Sequence, residues 1–417
     1  MRETQISIDS EIGKLNAVMV HRPGREIENM TPASAAEVLY DDILNLQLAV
    51  KEHDQLTGVL SRVAEVYEFE DLLRDTLADE HMKGLLVDEL VKLYGCEELA
   101  QELKDTGNAE LAAQLFQGTP MRKDSLEKFL SPLRHAIPPL PNAFFTRDAV
   151  MAVNESVIIG SMAFKARFAE ALLLKAIFKH HNRIHSDGFY YDGTTSASQK
   201  ITIEGGDLLV LREDLIMIGY SERTTARGID TLMRAIAEKG GVENFIVVEI
   251  PKSRATIHLD MIFTMVDRDR CVIFPPLITG MNKCRAFHVH YEQRRVKRIV
   301  EYTGVLEALR TQGMDLKPIP CGGDNELRQE REQWASGANF FALGPGHIIG
   351  FEHNQATAEE LSKSGFEIVP ADEFISEDRS LEPGRPTLVT MHGSELSRGG
   401  GGCRCMTMPL SRDPVIW

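Results

Sequence analysis

The sequence predicts an α/β protein made of repeated strand–turn–strand units, with an all-helical block set after the first unit. Two observations predict this class. Pairs of short apolar runs, each pair divided by a polar turn, recur about every 50 to 60 residues. Between 66 and 135, leucines instead recur at three- and four-residue steps, which is the pattern of amphipathic helices.

The first predicted elements are a strand at Leu15–Val20, closed by the turn sequence His21-Arg22-Pro23-Gly24, and a helical stretch over about 35–68. The leucine-rich block follows, and prolines at 132, 138, 139 and 141 end it. We therefore predict an inserted helical domain at 66–135 and a main α/β domain at 1–65 and 136–417.

Four further pairs of apolar runs follow the block, and helical stretches such as 167–181 and 223–239 separate them. Three of the four begin with an aspartate: Asp148, Asp207 and Asp260. An ordinary α/β sheet with chance hairpins is the alternative, but the shared aspartate favours a repeat whose units cover one another's faces. The four pairs are residues 148–160, 207–219, 260–274 and 338–350.

The composition is that of a soluble globular protein of 417 residues, 43% of them hydrophobic and 26% charged. A net charge of -16 argues against a nucleic-acid groove, which needs a basic stripe. No apolar run approaches the ~18 residues of a membrane span, and the polar N-terminus lacks the apolar core of a signal peptide. The six cysteines form no CxxC pairs, so we expect a cytoplasmic protein with reduced thiols and without nucleic-acid or membrane partners.

A cysteine near the C-terminus is the candidate nucleophile. Cys405 follows a run of glycines at 399–402, where the backbone can fold tightly and approach a ligand. His258 and Asp260 point to the same side of an extended segment, because side chains alternate with period two. Together with Glu204, which opens the sequence EGGD, these groups predict a nucleophilic Cys/His site at strand ends.

Each of these signals also has an ordinary structural explanation. An aspartate before a strand is usually a turn or capping residue, His258 alone would be a satisfied core histidine, and Cys405 alone would be a packed small hydrophobe. The pair Cys403 and Cys405 could instead bind a soft metal or act as a redox couple, although no further ligand cluster supports this. The glycine run could cradle a phosphate, but it lacks the following lysine of a P-loop.

Taken together, these residues resemble the arginine deiminase family. The shared motifs run in the family's order over nearly the whole chain and are jointly specific. The resemblance implies an α/β fold that is a five-bladed α/β propeller, the pentein fold of pseudo-fivefold ββαβ repeats, with an all-helical bundle inserted after the first blade. The motifs are His21-Arg22-Pro23-Gly24, Phe145-Thr146-Arg147-Asp148, Glu204-Gly205-Gly206-Asp207, Ser221-Glu222-Arg223-Thr224, His258-Leu259-Asp260 and Cys405-Met406-Thr407-Met408-Pro409.

The resemblance also implies a reaction, the hydrolysis of L-arginine to L-citrulline and ammonium, with no metal and no organic cofactor. Cys405 would be the nucleophile and would form a covalent amidino-enzyme (thiouronium) intermediate. His258, oriented by Glu204, would protonate the departing ammonia and then activate the hydrolytic water. Asp148 and Asp260 would hold the guanidinium, whose planar fork of donors suits carboxylates.

Other residues are implied to bind the rest of the substrate, and a homo-oligomer, either a dimer or a tetramer, is implied as well. Asn142, Arg167 and Arg223 match positions at the carboxylate end of the substrate, and Asp207 and Arg398 complete the predicted substrate-binding set. No metal ligand is implied.

The pKa of the candidate nucleophile leads to a further hypothesis. Nearby carboxylates should raise the pKa of Cys405 in the empty site, because like charges disfavour ionisation. The thiolate, not the thiol, attacks. We therefore expect the cationic substrate itself to promote the thiolate.

Two positions depart from the family's pattern. Many members carry an arginine two residues beyond the position of Arg398, where this chain has Gly400, and Cys403 stands where a non-thiol residue is usual. These departures bear on how the loop gates the substrate, but they remove no member of the catalytic set. A disulfide between Cys403 and Cys405 under oxidation would switch activity off, and this is a hypothesis.

Two alternative functions remain open from the sequence. Another guanidino-modifying enzyme, a methylarginine hydrolase or an amidinotransferase, would share the same Cys/His/acid set, although the helical block and the CMTMP ending favour the deiminase. A non-catalytic arginine-binding or metal-binding protein would use the CxC pair. Such a protein has no need for a nucleophile beside a general acid.

Overall fold

The computed structural model describes residues 3–32, 34–195, 201–376 and 379–417. Strands and helices alternate through most of these ranges, so the fold is mixed α/β. Among the helices of these ranges, none has the length and apolarity that crossing a membrane requires. The α-helices are Arg25–Glu28, Leu46–Val63, Phe69–Thr76, Glu80–Tyr94, Ala100–Asp105, Asn108–Gln117, Leu126–Leu130, Thr146–Ala149, Phe168–His180, Ala226–Lys239, Pro275–Ile278, Val305–Thr311, Glu326–Trp334, Gln355–Lys363 and Ala371–Ser376.

Five sheets of three or more strands in the described ranges share one plan: an antiparallel pair, and a third strand parallel to the second member of that pair. Ala286–Glu292 and Arg295–Tyr302 extend the third sheet, and Glu367–Pro370 extends the fifth. In chain order, the sheets are Met408–Arg412 with Leu15–Val20 and Glu65–Glu68; Val150–Val153 with Ser156–Ile159 and Phe189–Asp192; Leu208–Arg212 with Leu215–Tyr220 and Asn244–Glu249; Phe263–Asp267 with Arg270–Ile273 and Lys317–Pro320; Phe341–Gly344 with His347–Phe351 and Thr387–Met391.

All four predicted pairs of apolar runs are antiparallel hairpins, so that prediction is confirmed. Most of their residues are buried on both faces of the strand, as in Val150–Val153. Burial on both faces explains why these runs are continuously apolar and do not alternate with polar residues.

The first predicted strand, Leu15–Val20, is also confirmed, but its antiparallel partner is Met408–Arg412, from the other end of the chain. The helix predicted over about 35–68 was too long at both ends: the α-helix is Leu46–Val63, and Glu65–Glu68 is a strand parallel to Leu15–Val20. Ala64 ends the helix in an extended conformation, and the valine and tyrosine that follow favour a strand. The predicted boundary between 65 and 66 therefore falls inside a strand of the first sheet.

The segment predicted as a helical block holds five α-helices, from Phe69–Thr76 to Leu126–Leu130, all within described residues. It also holds a short antiparallel ladder between Thr119–Pro120 and His135–Ile137. Its buried leucines belong to the same hydrophobic cluster as the second sheet and the helix Phe168–His180. The leucine periodicity in the sequence therefore marks the face that packs on the α/β part of the chain.

His21 lies where the first sheet meets the helical segment. Its buried ring stacks on Phe116, with centroids 4.3 Å apart, and meets Phe69 edge-on at 5.8 Å. The ring nitrogens lie 3.3 Å from Glu26 and 3.1 Å from Glu68. Burial alone would lower the pKa of His21, but the two glutamates raise it to about 10. The ring is therefore charged at neutral pH, paired with glutamates of the first sheet and its neighbouring helix, while its contacts with Phe69 and Phe116 join it to the helical segment.

Replacing His21 with glutamine should destabilise the protein in a pH-dependent way. Because the folded pKa of about 10 exceeds the ordinary value of 6.5, the charged ring contributes fully below pH 6.5 and loses its contribution as the pH rises towards 10. Urea unfolding should therefore give a larger difference in the free energy of unfolding between wild type and His21→Gln near about pH 6 than near about pH 9. A difference that does not vary with pH would contradict the charged state of this ring.

Candidate active site

The loops before the second sheet, the fourth sheet and the closing strand Met408–Arg412 meet at one cavity of about 270 Å³. Two further predicted residues, Glu204 and Asp260, lie directly behind the lining and contact His258 and Cys405 respectively. The predicted site residues that line the cavity are Asn142, Asp148, Arg167, Arg223, His258, Arg398 and Cys405.

The two glycines after Glu204 allow these loops to approach closely. A side chain at Gly206 would place its Cβ 2.5 Å from the ring of His258, and one at Gly205 would place it 2.0 Å from the carbonyl oxygen of Arg147. Neither residue has a positive φ, so the requirement is space and not an unusual backbone conformation. The Gly-Gly pair therefore brings the loop that carries Glu204 against the one that carries His258.

His258 is held between two carboxylates. Its Nε2 lies 2.9 Å from Glu204 Oε2, and its Nδ1 lies 3.7 Å from Asp148 Oδ1. Burial alone would lower the pKa of His258, but Asp148, Glu204 and Asp207 raise it to about 9. The ring is therefore protonated at neutral pH and can act as a general acid.

Glu204 stays ionised although it is fully buried. Burial alone would raise its pKa, but Arg223 and His258 lower it to about 2. Glu204 Oε1 also accepts a hydrogen bond from the backbone N–H of Ala163, at 3.0 Å. These contacts fix the carboxylate, which in turn orients the imidazole.

Cys405 lies at the floor of the cavity, with Sγ 3.7 Å from Asp260 Oδ2. Burial, followed by the charges of Asp260 and Asp148, raises the pKa of Cys405 well above that of a free thiol. The thiol is therefore neutral in the empty site, as the sequence analysis expected from the nearby acids. A positive charge brought into the cavity would favour the thiolate.

Asp148 and Asp260 each have one oxygen that accepts no hydrogen bond from the described residues. Arg167 Nη1 donates to Asp148 Oδ2 at 2.5 Å, and Arg404 Nη1 donates to Asp260 Oδ2 at 2.8 Å. The Oδ1 atom of each carboxylate is buried and accepts no hydrogen bond. Because an unpaired buried acceptor costs free energy, these two oxygens are suited to receive donors from a cationic ligand.

Arg167 and Arg223, the two buried arginines that line the cavity, differ in how many donors they have left. Arg167 directs its donors to Asp148, to Glu170 and to the carbonyls of Asn142 and Phe145, so it is nearly saturated. Arg223 donates only one side-chain hydrogen bond, from Nη1 to Glu204 at 3.3 Å, and its buried Nε has no partner. Arg223 is therefore the better placed of the two to bind an anionic group of a ligand.

The rim of the cavity carries two ion pairs that join facing loops: Arg398 with Asp42, and Arg254 with Asp41 at 2.6 Å. Arg398 also pairs with Glu395 of its own loop. The sequence analysis included Arg398 but missed the other rim residues, because nothing in their local sequence marks them as neighbours of the glycine run. Arg254 and both aspartates line the cavity.

Asn142 and Gly400, which the sequence analysis named, also line the cavity. Asn142 lines the cavity, but its side-chain amide donates to the carbonyl of Val38 at 2.8 Å. Gly400 has φ +88, in the left-handed region, and a Cβ there would meet nothing within 4 Å. A longer side chain at this position would therefore have room over the cavity.

Two singled-out residues lie away from the cavity lining. Asp207 is fully buried and accepts hydrogen bonds from Ser221 Oγ at 2.6 Å and from the backbone N–H of Leu259 at 2.9 Å. Its contacts make it a support beneath His258, and burial raises its pKa to about 7. Cys403 is fully buried with Sγ 3.7 Å from Met391 Sδ, so its thiol faces the core while Cys405 faces Asp260.

Asn339 is a site residue that the sequence analysis missed. Its Oδ1 accepts the backbone N–H groups of Arg404 at 3.0 Å and Cys405 at 3.3 Å, and its Nδ2 donates to the carbonyl of Asp260 at 3.1 Å. It thereby joins the loop of the candidate nucleophile to the loop of Asp260. Asn339 stands near the start of the fourth apolar pair, where the first three pairs have an aspartate, and that substitution was a usable signal.

Only one group in the described residues has the spacing of metal ligands: Asp148, Glu204 and His258, with ligand atoms within 4.8 Å of one another. All three already serve other partners. Arg167 binds Asp148, Arg223 binds Glu204, and the imidazole is bonded to Glu204. Two guanidinium charges beside this group disfavour a dication there.

Residues 36–412 match the model of the family described as arginine deiminase. The arginine deiminase of Limosilactobacillus reuteri is 33% identical to this chain, and the match covers 99% of each protein. The arginine deiminase of Mycoplasma capricolum is 32% identical, and that match covers 99% of this chain and 98% of the relative.

Solved structures of low sequence identity share the fold. The N-terminal domain of ArgZ, an arginine dihydrolase from cyanobacteria, is 13% identical with a TM-score of 0.51, covering 95% of this chain and 97% of that one. The dimethylarginine dimethylaminohydrolase of Pseudomonas aeruginosa, in complex with citrulline, is 12% identical with a TM-score of 0.50, covering 95% of this chain and 99% of that one.

The electrostatics of the cavity predict a slow reaction of Cys405 with alkylating agents. Because burial and two carboxylates raise its pKa, iodoacetamide should modify it slowly at neutral pH, and the rate should rise only above the pKa of about 8.5 of a free thiol. The measurement is the rate of Cys405 modification against pH by peptide mass spectrometry. Half-maximal modification well below about pH 7 would contradict the prediction.

Proposed function

The chain belongs to the arginine deiminase family, and on that premise we propose that its cavity hydrolyses L-arginine to L-citrulline and ammonium. The observation that carries this proposal is the pair of buried carboxylate oxygens that accept no hydrogen bond from the described residues, Asp148 Oδ1 and Asp260 Oδ1, near the thiol of Cys405. A guanidinium is planar, with N–H donors around its edge and a single electrophilic carbon at its centre. Two carboxylates can accept those donors, and one nucleophile can attack the carbon.

Asp148 and Asp260 bind the guanidinium of the substrate. Each keeps one oxygen for an arginine of the protein and offers the other to the ligand. The substrate cation then satisfies two buried acceptors at once, which orients its central carbon towards Cys405. Such positioning contributes up to about 7–11 kcal/mol to lowering a barrier of this kind.

Covalent catalysis proceeds through Cys405. As the cation binds, its charge offsets that of the acids, the thiol gives its proton to water, and the thiolate sulfur bonds to the guanidinium carbon. The C–N bond to the terminal nitrogen then breaks, and protonated His258 supplies a proton to the leaving ammonia. The product of this half-reaction is an S-linked thiouronium on Cys405.

Hydrolysis of the intermediate uses the same groups in reverse. Neutral His258 takes a proton from a water molecule, and the resulting hydroxide adds to the carbon of the thiouronium. The C–S bond then breaks, the departing sulfur of Cys405 takes up the proton of the added hydroxyl group, and citrulline is released with His258 protonated again. Glu204 holds the imidazole through both steps, and its charge stabilises the protonated ring between them.

The carboxylate end of the substrate lies among Asn142, Arg167, Arg223 and Arg398. Arg223 is the principal partner, since it retains unused donors, whereas Arg167 chiefly holds Asp148. Asp207 contributes indirectly, by supporting the segment of His258.

We also propose the finer architecture. The five sheets of common plan would be the blades of a five-bladed propeller, in keeping with the likeness to solved structures. The segment 66–135 would be a helical insert, and 1–65 with 136–417 would be the catalytic domain. The six cysteines, all among the described residues, are free thiols, which suits the reducing cytoplasm.

A homo-oligomer, dimer or tetramer, is part of the proposal. A stripe of large apolar side chains at helical spacing is exposed on the segment 126–133, and a second copy is a natural cover for it. The stripe consists of Leu126, Phe129, Leu130 and Leu133.

The proposed reaction is tested with purified protein, L-arginine and a citrulline assay, with Cys405→Ala and Cys403→Ala in parallel. Both cysteines are buried in the same loop, but only Cys405 lines the cavity, so Cys403→Ala is the matched control. We expect citrulline from wild type and from Cys403→Ala, and none from Cys405→Ala. The absence of citrulline from wild type under reducing conditions would contradict the function. Turnover by Cys405→Ala would contradict the assignment of the nucleophile.

Arg223→Gln should lower kcat/KM for arginine by about 10- to 100-fold, the equivalent of one or two charge-assisted hydrogen bonds. Agmatine has the same guanidinium but no carboxylate. The change in kcat/KM for agmatine therefore reports only the effect of the substitution on the reacting end. The ratio of kcat/KM for arginine to that for agmatine should therefore fall in the variant. An unchanged ratio would show that Arg223 acts only through Glu204.

A further inference from the structure

Arg404 precedes the nucleophile in the chain, but its side chain lies behind the cavity. It is 1% exposed and does not line the pocket. Nε and Nη2 form a bidentate pair with Glu11, at 2.9 and 3.1 Å, and Nη2 also donates to the carbonyl of Leu208 at 2.7 Å. Nη1 reaches forward to Asp260 Oδ2 at 2.8 Å.

Glu11 is itself fixed by the third sheet. Its backbone N–H donates to the carbonyl of Val210 at 2.7 Å, and its Oε1 accepts the N–H of Val210 at 3.3 Å. Burial alone would raise the pKa of Glu11, but Arg404 lowers it to about 2, so the pair is ionised. The guanidinium of Arg404 is therefore held on three sides before it meets Asp260.

Two other buried arginines of the same region make a useful comparison. Arg412 donates to the carbonyls of Gly13 and Ala342, at 2.6 and 2.8 Å. The side chain of Arg147 donates one long hydrogen bond, from Nε to the carbonyl of Arg404 at 3.4 Å. Of these three arginines, only Arg404 binds an acid of the site.

We propose that Arg404, held by Glu11, is a positioning residue for Asp260. It keeps the carboxylate ionised, binds one of its oxygens and leaves the other oxygen turned to the substrate. This inference rests on the proposed function, in which Asp260 grips the guanidinium. The same oxygen that Arg404 binds lies 3.7 Å from the sulfur of Cys405. Arg404 therefore also moderates the repulsion that the thiolate meets.

Two effects of removing Arg404 follow from the charges. Burial raises the pKa of Asp260 and Arg404 opposes this rise, so without Arg404 the carboxyl stays protonated to higher pH. Arg404 also opposes the raised pKa of Cys405, so the thiol ionises at still higher pH without it. Both effects shift pH profiles upwards, which a loss of packing alone does not do.

The test compares Arg404→Met with Arg404→Lys and with Arg412→Met, a matched loss of a buried guanidinium that does not contact Asp260. We expect the acid limb of kcat/KM for arginine to move up by about 1 pH unit or more in Arg404→Met, because an adjacent opposite charge depresses a carboxyl pKa by about 1–3 units. Arg404→Lys, which keeps the charge, should hold the limb near wild type. Arg412→Met should lower the melting temperature and leave the limb in place.

If Arg404→Met does not fold, the double variant Glu11→Gln/Arg404→Met removes the buried pair without leaving a lone charge, and its acid limb should also move up. A limb that stays at the wild-type position in whichever variant folds overturns the inference. The pH profile of Cys405 alkylation, measured without substrate, separates this result from failure of the proposed function. It should shift upwards in the Arg404 variant even if wild type makes no citrulline, and an unmoved profile there overturns the inference as well.

Discussion

The crowding of carboxylates around one buried thiol is the constraint on which this structure depends. Acids packed so closely would take up protons, because like charges and burial both disfavour their ionised forms. Buried guanidiniums counter this, because each binds one oxygen of an acid of the site. These pairs fix the acids and leave Oδ1 of Asp148 and Oδ1 of Asp260 without a hydrogen-bond donor among the described residues. The pairs are Arg167 with Asp148, Arg223 with Glu204 and Arg404 with Asp260.

The pairing of the chain's two ends completes this arrangement. Leu15–Val20 pairs with Met408–Arg412, which sets Cys405 just before the closing strand and Glu11 just before the opening one. Arg404 then bridges Glu11 and Asp260, so one guanidinium joins residues 393 and 144 positions away from it along the chain. The candidate site therefore depends on these long-range contacts, which bring Cys405 to Asp260.

Local pattern was enough to predict the hairpins, because strands buried on both faces read as continuous apolar runs. It was not enough for Glu65–Glu68, which forms a strand by pairing with a parallel strand whose residues lie 48 positions earlier in the chain. Short local motifs were likewise enough to locate the candidate reacting groups. The sequence analysis missed Asn339 and Glu11, because their roles come from contacts with residues far away in the chain, which no local pattern indicates. The roles of Cys405 and His258 stay predictions that the proposed assays test.

The charge of the bound molecule is what links these electrostatics to turnover. Without a bound cation, burial and the acids hold the pKa of Cys405 well above that of a free thiol, and the pKa of His258 is raised to about 9, so a neutral thiol shares the cavity with a charged imidazole. In the proposed reaction, a guanidinium supplies a positive charge and donates to the Oδ1 atoms of Asp148 and Asp260, which accept no hydrogen bond from the described residues. Deimination would then replace this cation with a neutral ureido group, which no longer offsets the charges of the two acids. On this proposal, the interactions that draw the substrate in are weakened by the reaction itself, and the acids that would bind arginine favour the release of citrulline.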